Sequence, residues 1–179
     1  MNLGVRLEAI EADITTLHLD AIVNAANSTL MPGGGVDGAI RRKAGREMDE
    51  DLYRIGHCAE GEAVITRGYG LPASRVIHTV APIWAGGNNR EGQEATLARC
   101  YDNALALADT HHLRTIAFPA IGTGAYGWPA EIAAKRAFER AATHLAACAI
   151  QTRIIFCCFS RADRERYADL IANLKEQCP

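Results

Sequence analysis

The sequence predicts an α/β fold in which a mainly parallel sheet is covered by helices on both faces. Three observations carry that expectation. Short runs rich in Val and Ile, bounded by turn residues, recur along the chain. Between the later runs, apolar residues return at steps of three and four, the spacing of a helix with one face on a core. Strand and helix signals alternate, and strands separated by helices are joined by crossovers, the connection that parallel pairing requires.

In chain order, strands are expected over residues 5–10, 21–23, 63–67, 76–80, 115–119 and 153–159. A first helix is expected to begin near Val36, with residues 38–44 as its body. A second carries Leu97, Cys100, Tyr101, Ala104 and Ala108 on one face; a third carries Ala134, Ala137, Phe138, Ala141, Leu145 and Cys148. The last opens at Ser160, whose hydroxyl can accept from a free N–H of the first turn, and continues through Tyr167, Leu170, Ile171 and Leu174. No repeat, low-complexity segment or linker breaks this order, so residues 1–179 are expected to form one domain.

Composition narrows the function classes. A chain of 179 residues, 49% hydrophobic and 22% charged, is ordinary globular usage, and at this size about 70% of the unfolded surface can be buried. The net charge of −2 supplies no basic field for a phosphate polymer, so nucleic acid is not an expected partner, whereas small anions are. No apolar run approaches the roughly 20 residues that span a bilayer. The N-terminal stretch lacks a basic segment followed by an apolar one, so a cytoplasmic, membrane-free protein is expected. Cys58, Cys100, Cys148, Cys157, Cys158 and Cys178 form no Cys-x-x-Cys pair and are expected as buried, reduced thiols.

In a parallel sheet, ligands bind beyond the carboxyl ends of the strands, which directs attention to two loops. The first follows the strand at 21–23 and contains Asn24, Asn27 and Gly33, Gly34 and Gly35 before the helix near Val36. The second, Gly122-Thr-Gly-Ala-Tyr-Gly127, leaves the strand at 115–119 and enters a helix with Pro129 near its first turn. Glycine lets backbone approach a ligand without a Cβ in the way. A helix N-terminus behind it offers unpaired N–H groups and partial positive charge. Either loop alone could be only a tight turn; two facing one crevice could grip a diphosphate. No Lys-Ser or Lys-Thr follows the glycines as in a P-loop. The second loop matches Gly-x-Gly-x-x-Gly, but the acidic residue that a dinucleotide site needs about 20 positions on is missing from the apolar region 146–150, and too little chain follows Arg161 to complete that site.

Asn24 and Asn27 can donate and accept while staying neutral beside phosphates, which suits ribose hydroxyls. Asp37, at the start of the first helix, is expected to be ionised. Its spacing fits two roles: a cap for that helix, or a carboxylate that orients a water near an electrophilic carbon.

Five ordered stretches, AIEADIT from Ala9, DAIVNAAN from Asp20, GGGVDGAI from Gly33, VIHTV from Val76 and FPAIGTGAYG from Phe118, resemble the successive motifs of the macrodomain family in its MacroD-type branch. The resemblance runs nearly end to end. It implies a three-layer α/β/α sandwich around a mixed, mainly parallel six-stranded sheet. It also implies a cleft for ADP-ribose, with hydrolysis of O-acetyl-ADP-ribose or of mono-ADP-ribose esterified to protein carboxylates. Partners would then be ADP-ribose derivatives and mono-ADP-ribosylated proteins, with no cofactor and no metal. By position, Asp13 and Ile14 would meet the adenine end, Gly33, Gly34, Gly35 and Val36 with Ile121, Gly122, Thr123, Gly124 and Ala125 would wrap the diphosphate and distal ribose, and Tyr126 would pack on that ribose. Phe159 would lie against adenine, although core burial is an equally available role for it; Asn27 would contact the distal ribose and Asp37 the catalytic water. Four positions depart from the family pattern: Ala12 and Gly122 replace Gly and Ser, Pro32 replaces the first of four glycines, and Arg41 stands where His is common. With Arg42, Lys43 and Arg46, Arg41 reads either as positive charge near the cleft or as part of a solvated helix face.

Other titratable residues offer no rival site. His57 beside Cys58, and His111 beside His112, lack metal-ligand spacing, His78 reads as a core residue of its strand, and no Gly-x-Ser-x-Gly elbow is present. The alternative to a hydrolase is a non-catalytic module that binds ADP-ribose without turning it over; an NAD(P)-dependent oxidoreductase is the third reading.

Overall fold

The computed structural model describes residues 6–147 and 152–177. Six strands, β1 (Leu7–Glu11), β2 (Ala21–Ala25), β3 (Ala63–Arg67), β4 (Arg75–Thr79), β5 (Thr115–Phe118) and β6 (Arg153–Cys158), form one sheet in the order β1-β6-β5-β2-β4-β3. All neighbouring pairs are parallel except β3 and β4, which are antiparallel. Among the described residues, five α-helices connect and cover them: α1 (Gly35–Ala44), α2 (Arg46–Ile55), α3 (Arg90–Thr110), α4 (Ala130–Ala147) and α5 (Arg161–Gln177). This is the expected α/β/α sandwich with a mixed, mainly parallel sheet.

The alternation of side chains along each strand divides the core in two. Ala21 and Val23 of β2, Ile77 of β4 and Phe118 of β5 pack with Leu97, Tyr101, Ala134 and Tyr167 from α3, α4 and α5. Ile22, Val76 and Ala117, one position away on the same strands, pack with Ile40, Met48 and Leu52 from α1 and α2. Period two along the strands therefore assigns α1 and α2 to one layer and the other three helices to the opposite one.

Helix α2 has no counterpart in the sequence expectations. Only Met48 and Leu52 of its ten residues are buried, a single i, i+4 pair among Arg46, Glu47, Asp49, Glu50, Asp51 and Arg54, too sparse for an apolar stripe. Strand ends also move by one or two residues. β2 continues through Asn24 to Ala25, so Asn24 is a strand residue rather than a loop residue, and β6 stops at Cys158, leaving Phe159 beyond the sheet. At the last helix, the Asp163 N–H donates to Ser160 Oγ at 3.2 Å, the cap expected from sequence. Cys58, Cys100, Cys157 and Cys158 are buried and reduced, and burial pushes their thiols up to about 11 or 12. Cys148 and Cys178 lie outside the described residues.

β2 and β5 are clamped at their N-terminal ends. Asp20 Oδ2 accepts from the Arg114 N–H at 2.8 Å and the Thr115 N–H at 2.9 Å, and the Asp20 N–H donates to Thr115 Oγ1 at 2.8 Å. That clamp sets β2 beside β5, and so sets the loops leaving their far ends side by side.

Candidate functional site

Because β1, β6, β5, β2 and β4 run parallel, the segments after all five leave the sheet at one edge. Asp13 follows β1, Phe159 follows β6, residues 119–129 follow β5, residues 26–34 follow β2, and Val80 follows β4. The residues singled out from sequence are thus brought to a common rim, with the two glycine loops next to each other.

The loop after β2 is tied back at several points. The Ala26 N–H donates to Thr79 O at 2.9 Å. Asn27 spans a turn: its Nδ2 donates to Met31 O at 2.7 Å, and its Oδ1 accepts from Thr29 Oγ1 at 2.8 Å and the Met31 N–H at 3.2 Å. These bonds deliver Gly33, Gly34 and Gly35 exposed at the mouth of α1. Gly35 has φ +55°, and neither it nor Gly34 would place a Cβ within 4 Å of another atom, so this stretch of backbone is open to a ligand. Behind it, the first-turn N–H groups of α1 have no partner within the helix.

The N-cap of α1 is Gly34, not Asp37, which sits in the first turn and is 3% exposed. Asp37 Oδ2 accepts from the Gly33 N–H at 2.7 Å and from Arg41 Nε at 2.8 Å, and its Oδ1 accepts from Asn24 Nδ2 at 2.6 Å. It therefore also satisfies a backbone donor ahead of the helix, part of what a cap does. Arg41 is not on the solvated face shared by Arg42, Lys43 and Arg46. It is 6% exposed, and its guanidinium reaches Asp37, Asp49 of α2 and Leu30 O, the last at 2.9 Å. Asp49 was invisible to sequence reasoning because α2 was.

Asn24 lies beneath the loop, wholly buried, with its Nδ2 also 3.0 Å from His78 Nδ1. Ile121 is wholly buried as well, so neither side chain presents surface at the rim. His78 is a core residue as expected, but a polar one: it is at 0% exposure, in register with Asn24 across β2 and β4, and its Nε2 is 2.9 Å from Thr66 Oγ1.

The loop after β5 is a compact turn. The Gly127 N–H donates to Gly124 O at 3.0 Å and the Trp128 N–H to Gly122 O at 3.1 Å. Thr123 Oγ1 donates to Ala120 O at 2.9 Å. Gly124 and Ala125 are exposed, with no atom near a Cβ on Gly124. The segment after β4 braces this turn: the Trp84 N–H donates to Tyr126 O at 2.8 Å, Trp128 Nε1 donates to Pro82 O at 2.8 Å, and the two indoles lie 4.6 Å apart. Sequence reasoning had no role for Trp84 or Trp128. Gly122 has φ +83°, and a Cβ there would come 2.5 Å from Trp128 Cδ1, so the Ser common at this position in the family has no room here.

At the far end of the rim, Phe159 is 97% exposed, which overturns core burial as its role. Its neighbour across β1 and β6 is the segment leading to Asp13, fastened by the Ala12 N–H to Cys158 O at 3.2 Å. Asp13 caps the turn that contains Ile14, accepting on Oδ1 from Thr15 Oγ1 at 2.7 Å and the Thr15 N–H at 2.9 Å. The Thr15 hydroxyl, then its amide, hold the Asp13 carboxyl below its usual range, so it is an acceptor at neutral pH. An acceptor beside an exposed aromatic plane suits a flat heterocycle with an exocyclic amine. Among the described residues, no group of three or more His, Cys, Asp or Glu side chains could hold a metal.

Comparison with known proteins agrees with this geometry. A family model described as Macro domain matches residues 23–137. A macro domain-containing protein of Chlorobaculum tepidum is 53% identical over 94% of this chain and 97% of its own length. A Klebsiella pneumoniae protein named O-acetyl-ADP-ribose deacetylase is 47% identical over 96% of this chain and 99% of its own. Among solved structures, the Oceanobacillus iheyensis macrodomain with ADP superposes with a TM-score of 0.90 at 38% identity, covering 96% of this chain and 92% of that one.

Gly122→Ala is expected to destabilise the fold by about 1–3 kcal/mol through forced left-handed backbone and to displace Trp128. Thermal melts and tryptophan emission, which reports only Trp84 and Trp128, check this; an unchanged melt with unchanged emission would contradict it.

Proposed function

The chain belongs to the macrodomain family, and from that premise we propose that it binds ADP-ribose derivatives along the rim and hydrolyses O-acetyl-ADP-ribose to ADP-ribose and acetate. Mono-ADP-ribose esterified to protein Asp or Glu is proposed as a further substrate of the same site. The observation that carries this reading is the pair of open glycine turns leaving adjacent parallel strands, with Gly34, Gly35 and Gly124 exposed and no side chain over their backbone. A diphosphate matches what they offer, which is N–H groups and the positive end of α1. Adenine would then lie on Phe159 with its amine at Asp13, and the distal ribose between Asn27, Gly33 and Tyr126.

For the acetyl ester, water attacks the carbonyl carbon, the bond from that carbon to the ribose oxygen breaks, and the ribose oxygen takes one proton while acetate and a second proton leave. For a carboxylate ester at the anomeric carbon, water attacks that carbon, the bond from it to the carboxylate oxygen breaks, and the protein carboxylate departs as the water gives up one proton. Loop N–H groups stabilise the developing negative charge. A carboxylate offers about four acceptor sites, and three on Asp37 are filled. The fourth, on Oδ1, is where a water shared with a substrate phosphate would be held.

A second reading, a binding module without turnover, is favoured by one observation: Arg41 pairs directly with Asp37 and, with the Gly33 N–H, occupies its Oδ2, which leaves little of the carboxylate free for a water. Calorimetry with ADP-ribose followed by acetate release from O-acetyl-ADP-ribose separates the two. Binding with release supports the hydrolase, binding without release the module, and neither would overturn both. If the hydrolase reading holds, Asp37→Asn lowers turnover by about 100-fold or more; equal single-turnover rates would remove Asp37 from the chemistry. Phe159→Ala should weaken ADP-ribose binding by about 1–3 kcal/mol with no change in melting temperature, since the ring touches almost nothing; unchanged affinity would place adenine elsewhere.

A further inference from the structure

A polar line crosses the α1 side of the sheet inside an otherwise apolar layer: Thr66 on β3, His78 on β4, Asn24 on β2 and Asp37 on α1. Donors and acceptors along it can be assigned by elimination. The Thr66 hydroxyl has one hydrogen; with that hydrogen on Arg67 O at 3.0 Å, its 2.9 Å contact with His78 Nε2 is donated by the ring. Nε2 therefore carries the proton. At the other end, Asn24 Nδ2 lies 2.6 Å from a carboxylate oxygen that can only accept and 3.0 Å from His78 Nδ1. Its two hydrogens satisfy both contacts only if Nδ1 presents a lone pair. Both ends give the same answer, a neutral imidazole with a bare Nδ1. The flipped amide would aim a carbonyl oxygen at the carboxylate and at that lone pair, so the flip is forbidden.

We infer that His78 is a positioning residue for the hydrolysis: through Nδ1 it fixes the Asn24 amide, and through that amide it fixes the rotamer of Asp37 beneath the distal ribose. This rests on the hydrolase reading above. A proton on Nδ1 would oppose the Asn24 N–H, turn the amide and break its bond to Asp37. Burial, and secondarily the charge of Arg41, lower the ring to about 3, so the imidazole stays neutral at physiological pH and its tautomer is set by these contacts. Asn24 Oδ1 is left without a partner, so its orientation is set from the nitrogen side alone.

Two substitutions separate this role from simple core filling. Asn at 78 can place an acceptor where Nδ1 stands and abandons Thr66; Gln reaches towards Thr66 and abandons Nδ1. With acetate release as the assay, H78Q is expected to lower kcat about 10- to 100-fold, leaving KM and ADP-ribose affinity near wild type, and H78N to recover most of that loss. Equal loss in both variants, wild-type kcat in H78Q, or a change confined to KM overturns the inference. Should either variant fail to fold, long-range proton–nitrogen correlation on the wild-type protein decides it: a proton on Nε2 and a bare Nδ1 between pH 8 and pH 5 support it, and any other state overturns it. Failure of the wild type to release acetate instead defeats the hydrolase reading itself.

Discussion

One buried carboxylate holds the site together. Asp37 joins the sheet through Asn24, the glycine run through the Gly33 N–H and its own helix through Arg41. Arg41 extends the reach to α2 through Asp49 and to the turn before the glycines through Leu30 O. A charge this deep is tolerable only with its donors in place; removing one partner of a buried ion pair generally costs about 3–5 kcal/mol. The glycine run, which has few side chains of its own to hold it, is therefore shaped by contacts from below, and its upper surface is left free for a ligand. The loop after β5 solves the same problem differently. There Trp84 and Trp128 brace the backbone from the side, and Gly122 is the residue that lets the indole come so close.

The replacement of His by Arg at position 41 takes on a physical meaning in this setting. A long guanidinium with donors at three positions can join three elements at once, where an imidazole has two ring nitrogens. The gain is that the 26–34 loop is tied at Leu30 O to both α1 and α2. The consequence is an Asp37 whose Oδ2 is already taken by a cation and a backbone N–H.

Much of this was legible in the sequence. All six strands follow from short Val- and Ile-rich runs bounded by turn residues, α3, α4 and α5 from apolar spacing, and α1 from the glycine run that precedes it. Helix α2 buries only Met48 and Leu52, so periodicity did not reveal it, and with it went Asp49 as the second acceptor for Arg41. Asn24 reads as a loop residue in the sequence because a polar side chain near a strand end looks like a strand stop. In the structure it continues β2, and its amide is accommodated by His78 in register on β4. A buried polar side chain is explained by its partner in space, and period two cannot supply that partner from one strand alone. Phe159 is the converse case, an aromatic that composition would place inside and that the end of β6 leaves outside.

Amide chemical shifts during titration with ADP-ribose test most directly whether the two glycine turns act as one clasp. Gly34, Gly35, Gly124 and Ala125 are expected to move together and to saturate at one ligand per chain, with Phe159 following the same curve. Shifts confined to a single turn, or centred on another face of the sheet, would contradict the account.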